Sequence, residues 1–264
     1  MLKKRVITSV VLFPLLVVAI WFGQPWFTIF VAFLALGAFY EFYNMVAKSR
    51  VNPLTIFGLF WTLLFIISPH LDWAFTTPIL LASAVILPLC WLLLFRRRNE
   101  LFARWIWTTT GILYIGWLFS HLVSLRYLDN GRDWAFLTIF TIIGSDTFAY
   151  FIGRAIGKHR LAPYISPSKT WEGAIGGILG SIIVSIIMTQ ILNIPVGYGG
   201  AILLGLVISI FGQIGDLVES LLKRNMNVKD SSNFLPGHGG FLDRIDSVVF
   251  ASVVVYYYLV WAIM

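Results

Sequence analysis

The apolar residues of this chain come in blocks about as long as a bilayer is thick, and that alone removes most folds from consideration. The blocks run roughly 6–22, 26–42, 54–68, 79–95, 105–125, 134–151, 173–192, 198–217 and 247–264. A helix needs about 20 mostly apolar residues to cross the hydrocarbon core. Backbone polar groups find no water there, so only helices or a closed barrel cross it. Continuous rather than alternating hydrophobicity selects helices. Composition agrees, since 12% of the 264 residues are charged and a soluble domain carries about 25%. The expected fold is an all-α polytopic membrane helix bundle with about nine transmembrane helices. The third block is short, which leaves a count of eight as the alternative.

Charge supplies the orientation. With nine spans, alternate loops lie on opposite sides, and all but Arg126 and Arg132 of the 19 lysines and arginines fall on one side. Lysine and arginine mark the cytoplasmic side, so the N-terminus is expected in the cytoplasm and the C-terminus outside. The net charge of +7 is spread over short basic clusters between apolar blocks, which argues for topology and against a nucleic-acid face. Trp26, Trp73, Trp105 and Trp134 stand at block edges, as interfacial aromatics do. Lys3, Lys4 and Arg5 precede the first block without a small-x-small cleavage site after it, so the block reads as an uncleaved span. The single cysteine, Cys90, excludes an internal disulfide and a multi-cysteine zinc site. Residues 1–130 form about five spans with small loops. Residues 131–264 carry the polar residues, in cytoplasmic loops at 152–172 and 218–246.

Four groups of polar residues stand out there. Asp146 lies in the sixth block, and an acid inside a span is costly enough to be a functional candidate by default; the competing reading pairs it with Arg154. The loop after that block contains Gly153-Arg154-Ala155-Ile156-Gly157-Lys158-His159, which has the wrong glycine spacing and lacks the Ser or Thr of a phosphate-binding P-loop. Its second part, Ser166-Pro167-Ser168-Lys169-Thr170-Trp171-Glu172-Gly173, offers Ser168 or Thr170 as a helix cap. The helix N-terminus there and Lys169 suit a phosphate. Asp216, Glu219, Ser220 and Lys223 stand at i, i+3, i+4 and i+7, so one helix face presents two acids, a hydroxyl and a base. An ion-pair ladder is the competing reading. In the last loop Gly237, Gly239 and Gly240 permit close backbone approach to a ligand, with His238 between them, and Asp243 and Asp246 share a face at i, i+3. Carboxylates near a glycine loop fit a hard cation such as Mg²⁺ bridging to phosphates. Lys223, Arg224, Lys229 and Arg244 would neutralise those phosphates.

Ser220-Leu221-Leu222-Lys223-Arg224, Lys229-Asp230 and His238-Gly239-Gly240-Phe241-Leu242-Asp243-Arg244-Ile245-Asp246 together resemble the signature of the phosphatidate cytidylyltransferase (CDP-diacylglycerol synthase) family. Every defined position is filled across the 27 residues from Ser220 to Asp246. The segments around Asp146 and Ser166–Gly173 are also similar to that family. The resemblance implies that CTP and phosphatidate give CDP-diacylglycerol and diphosphate, with a divalent metal, and that Asp216 and Asp243 match the metal-binding aspartates. It further implies a homodimer; Gly173, Gly176, Gly177 and Gly180 permit either that or close packing within one chain. In this reading Lys169, Lys223 and Arg244 screen phosphate charge, Asp146, Asp246 and His238 support the chemistry, and Ser166, Ser168, Glu172, Glu219, Ser220, Arg224, Lys229, Gly239 and Gly240 line the nucleotide site. The site is expected on the cytoplasmic face of the cell (inner) membrane. A CTP-dependent polyprenol kinase is the rival enzyme. A lipid-phosphate or anion transporter is the rival outside enzymology, and the midplane charges and inverted repeats expected of it are missing from the sequence.

Overall fold

A computed structural model describes the chain apart from Met1, residues 72–74 and 95–99, Asn233, residues 235–238 and residues 263–264. Trp73, Gly237 and His238, named above, lie outside the described residues, as do Arg96, Arg97 and Arg98 of the basic clusters. The helices are α1 (Leu2–Phe22), α2 (Trp26–Lys48), α3 (Thr55–Ile67), α4 (Thr76–Leu93), α5 (Leu101–Gly111), α6 (Leu118–Tyr127), α7 (Gly131–Ile156), α8 (Trp171–Ile191), α9 (Tyr198–Asn225) and α10 (Leu242–Ala262). A π-helical turn at Ile112–Trp117 joins α5 to α6, making one stretch, Leu101–Tyr127. That stretch, α2, α4, α7, α8, α9 and α10 are the seven described helices long and apolar enough to cross a membrane. Leu12–Phe22 and Thr55–His70 are shorter apolar helices, where hydropathy places the first and third spans. The protein is thus an all-α polytopic membrane protein with one small addition. Arg160–Ala162 (β1) and Ser166–Thr170 (β2) pair antiparallel, where the sequence pattern predicts only loop.

The chain divides into two compact units, Met1–Ser124 with Asn225–Ile245, and Leu125–Arg224 with Asp246–Met264. In the first unit Phe27, Phe39, Phe42, Tyr43 and Phe65 are fully enclosed. The Tyr43 hydroxyl donates to the Thr108 carbonyl at 2.8 Å, and Thr108 Oγ1 accepts from Leu54 N at 2.9 Å. These bonds satisfy polar groups that could not remain unpaired in an apolar interior.

In the second unit α7 and α8 pack along much of their length through the glycines of α8. A Cβ on Gly176 would lie 2.6 Å from Ile152 Cδ1, and one on Gly177 would lie 3.1 Å from Ala149 Cβ. The small-residue stripe therefore serves packing within one chain. Between α8 and α9 the same logic recurs: a Cβ on Gly205 would lie 2.6 Å from Ile182 Cα, and Ser185 Oγ donates to the Ala201 carbonyl at 2.8 Å. Ser145 Oγ and Ser209 Oγ sit 2.7 Å apart, and Gln213 Nε2 donates to Ser209 Oγ and to the Ala174 carbonyl. Such interhelical hydrogen bonds join α7, α8 and α9 where apolar contact alone gives little preference over lipid.

Candidate active site

Hydropathy ends the eighth span at residue 217, but α9 continues to Asn225. A helix is held by its own backbone ladder and need not stop where the apolar run stops. Lys223 and Arg224 fall in its last turn, where basic side chains complement the negative end of the helix dipole. The extension keeps Asp216, Glu219, Ser220 and Lys223 on one helix face. Gly215 lets α10 come close: a Cβ there would lie 3.1 Å from Phe250 Cδ2 and would strike the Asp246 carbonyl.

This approach gathers carboxylates. Asp216, Glu219 and Asp246 each offer one oxygen, and the three oxygens lie within 4.8 Å of one another. Lys169 Nζ lies 2.6 Å from Asp216 Oδ2. Lys223 forms an i,i+4 ion pair with Glu219, whose side chain is 0% exposed. Ser220 Oγ stands at 3.5 Å from Asp216 Oδ1. The charges acting on Asp246 include those of Asp216, Asp146 and Lys223, so Asp146 belongs to the same neighbourhood. Three hard oxygen donors at that spacing suit Mg²⁺, and the donor set therefore fits the cation the sequence resemblance implies. The ion-pair ladder is real too, with Lys223 serving Glu219 and Lys169 serving Asp216.

The hairpin delivers Lys169. Thr170 is the N-cap of α8, with extended backbone, and its Oγ1 accepts from Gly173 N at 3.1 Å. Of the two cap candidates, Ser168 is exposed on β2. Glu172 engages His159, with Nδ1 and Oε1 2.6 Å apart, and so braces the hairpin base. Arg224 Nε donates to the Ile165 carbonyl at 3.1 Å, bracing the tip. Arg154 donates to the Tyr150 hydroxyl at 2.9 Å. Ser166 begins β2.

The chain matches the model of the cytidylyltransferase family over residues 3–262. It belongs to that family. It is 34% identical over 263 residues to the phosphatidate cytidylyltransferase of Bacillus subtilis (strain 168), spanning 98% of this chain and 97% of that protein. It is 37% identical over 265 residues to the one from Brucella abortus biovar 1 (strain 9-941), spanning 97% and 92%. Identity to the Staphylococcus epidermidis protein of the same name is 44% over 140 residues, 53% of each chain.

The remaining signature residues of this cytidylyltransferase family member belong to the first unit and have their own neighbours. Asp243 Oδ2 accepts from Ser231 N at 3.2 Å, Ser231 Oγ at 2.9 Å and Gly240 N at 2.7 Å. Lys229 and Arg244 are exposed. Gly239 has φ +78° and a Cβ there would strike Asp243. A Cβ on Gly240 would strike Ser231 Oγ and Glu41. Protein therefore fills the space a side chain would need at Gly239 and Gly240.

Glu41 is the residue that sequence reasoning missed. It is the one acid of α2 and only 4% exposed. The rule that singled out Asp146, an acid inside an apolar block, marks Glu41 equally.

Proposed function

We propose that this chain transfers the cytidylyl group of CTP to phosphatidate, giving CDP-diacylglycerol and diphosphate, at the cytoplasmic face of the cell (inner) membrane. The observation that carries the reading is the cluster of Asp216, Glu219 and Asp246 with Lys169 and Lys223. Asp216, Glu219, Lys223 and Asp246 come from the ends of membrane-length helices and Lys169 from the hairpin just before another, where a soluble nucleotide can meet a lipid whose tails stay in the bilayer. Relatives that carry this activity in their names align with nearly the whole chain.

In the reaction a phosphate oxygen of phosphatidate forms a bond to the α-phosphorus of CTP. The bond from that phosphorus to the oxygen bridging to the β-phosphorus breaks, and diphosphate leaves with the electron pair. The attacking oxygen is already anionic at neutral pH, so the protein needs no strong base. Its task is to hold two anions in line and offset their repulsion. Lys169 brings an ammonium group on a flexible stem, able to turn from the partly exposed Asp216 toward phosphate oxygens, while Lys223 stays with the enclosed Glu219 and adds its charge to the site. Asp216 and Asp246, with Glu219 behind them, would hold a Mg²⁺ ion. Such an ion, when bound, neutralises developing phosphate charge. Asp243, Lys229, Arg244 and a homodimeric assembly enter the proposal through the signature alone.

Full-length protein purified in detergent, given phosphatidate, Mg²⁺ and CTP labelled at the α or γ position, tests the reading. Transfer of the α label to lipid, with release of diphosphate, is the expected result. Transfer of only the γ label would reject it in favour of a lipid kinase. No transfer of either label would reject both.

A further inference from the structure

The first unit contains a buried acid that the reaction as written does not use. Both oxygens of Glu41 are occupied. Oε1 accepts from Ser232 Oγ at 2.6 Å and Phe241 N at 3.0 Å, and Oε2 accepts from Ser231 Oγ at 3.0 Å and Leu242 N at 3.0 Å. All four donors lie 190 or more residues further along the chain. Leu242 is the first residue of α10, so Glu41 takes up N–H groups that the helix leaves without internal partners and places a negative charge at the positive end of its dipole.

Capping alone does not account for this choice. A carboxylate inside an apolar helix is costly even when its donors are in place. A local Ser, Thr or Asp caps a helix without that cost. Glu41 reaches Asp243 through Ser231, which a local cap would not do. The Ser231 hydroxyl lies 3.0 Å from Glu41 Oε2 and 2.9 Å from Asp243 Oδ2. It has one proton for those two acceptors, so the hold on Asp243 is set jointly with Glu41. Gly240 lacks a side chain at the point where Ser231 and Glu41 meet, and its N–H completes the hold on Asp243.

We propose that Glu41 is a positioning residue for the cytidylyl transfer, acting through Ser231 on Asp243. The inference rests on the function proposed above. Partners that orient a carboxylate of a metal or phosphate site are worth about 10–100-fold in activity or metal affinity. Glu41→Gln keeps the volume but turns one oxygen into a donor that faces two donors. The expected result is a kcat lowered about 10–100-fold with the KM for CTP unchanged, because the change lies in the transition state. Hydrogen–deuterium exchange at the Phe241 and Leu242 amides is expected to accelerate in the same variant. Glu41→Gln combined with Ser231→Ala is expected to be no slower than the worse single variant, as for residues acting as one unit.

Wild-type kcat in a folded Glu41→Gln protein, or additive losses in the double variant, overturns the inference. If Glu41→Gln does not fold, Ser231→Ala carries the test. It keeps the carboxylate and both helix N–H bonds while cutting the link to Asp243, so unchanged kcat there overturns the inference and a selective loss of kcat upholds it. If the wild-type protein forms no CDP-diacylglycerol, the proposed function fails by itself. The exchange measurement still decides whether Glu41 holds the start of α10.

Discussion

Two groups of carboxylates, one in each unit, solve the same problem in opposite ways. Glu41 and Asp243 are served by hydroxyl and backbone N–H donors. Asp216 and Glu219 are served by lysine ammonium groups. Neutral donors fixed to the backbone are directional and cannot leave, so they define where a carboxylate points. Lysine is a point charge on a four-carbon stem and can change partners. The first arrangement suits a frame and the second a site that exchanges ligands. Residues of the same type thus divide into scaffold and chemistry by the partners the fold gives them.

The comparison is broken or sharpened most strongly at Lys223. Its partner Glu219 is fully enclosed, and removing one member of a buried ion pair costs about 3–5 kcal/mol. Lys223→Met is expected to lower stability by about that amount, while Glu219→Met with Lys223→Met recovers most of it, as read from thermal melting in detergent. A Lys223→Met protein that melts with the wild type would show that this ammonium is not what stabilises Glu219.

Asp216 comes next. Asp216→Asn is expected to reduce turnover by about 10²–10³-fold, the scale for losing one pre-aligned electrostatic group, with the melting temperature nearly unchanged because the side chain is partly exposed. Asp243→Asn is expected to lose turnover and stability together, since a neutral amide oxygen holds the donors of Ser231 and Gly240 more weakly than a carboxylate does. Near-normal turnover in both variants removes these aspartates from the reaction. Equal melting temperatures would erase the difference between frame and site.

Most of the fold is legible in the sequence, because hydrophobic block length is a property of the chain alone. Much of the Asp216 cluster is legible too, since i, i+3, i+4 and i+7 spacing fixes a helix face before any tertiary contact forms. Three features are not. The hairpin at Arg160–Thr170 spans a few polar residues with Pro163 and Pro167, too short for a period to register. The end of α9 lies beyond the apolar run that hydropathy measures. Glu41 meets partners 190 and more residues away, and nothing in its neighbours Tyr40 and Phe42 announces them. Gly240 follows from that gap: with Glu41 unpaired, its missing side chain reads as room for a ligand.

Gly240 provides a milder probe of the frame. Gly240→Ala pushes a methyl group against Ser231 Oγ and Glu41, and overpacking a tight site costs about 1–3 kcal/mol. The variant is expected to melt earlier and to lose turnover, because the clash falls on the atoms that hold Asp243. Melting and turnover equal to wild type would mean that the clamp yields freely, and the contrast with the lysine-served cluster would weaken.

The smallest effect is expected at Thr170, the N-cap of α8. Its Oγ1 accepts from Gly173 N at 3.1 Å, and replacing a threonine cap by alanine costs about 0.5–2 kcal/mol. Thr170 also follows Lys169 directly, so the cap sets how the hairpin delivers that ammonium to Asp216. Thr170→Ala is therefore expected to lower the melting temperature slightly and to raise the KM for CTP, while Thr170→Ser, which keeps the acceptor, stays near wild type in both. If alanine and serine behave alike, the cap does not govern the placement of Lys169, and the flexible stem alone lets that lysine find Asp216.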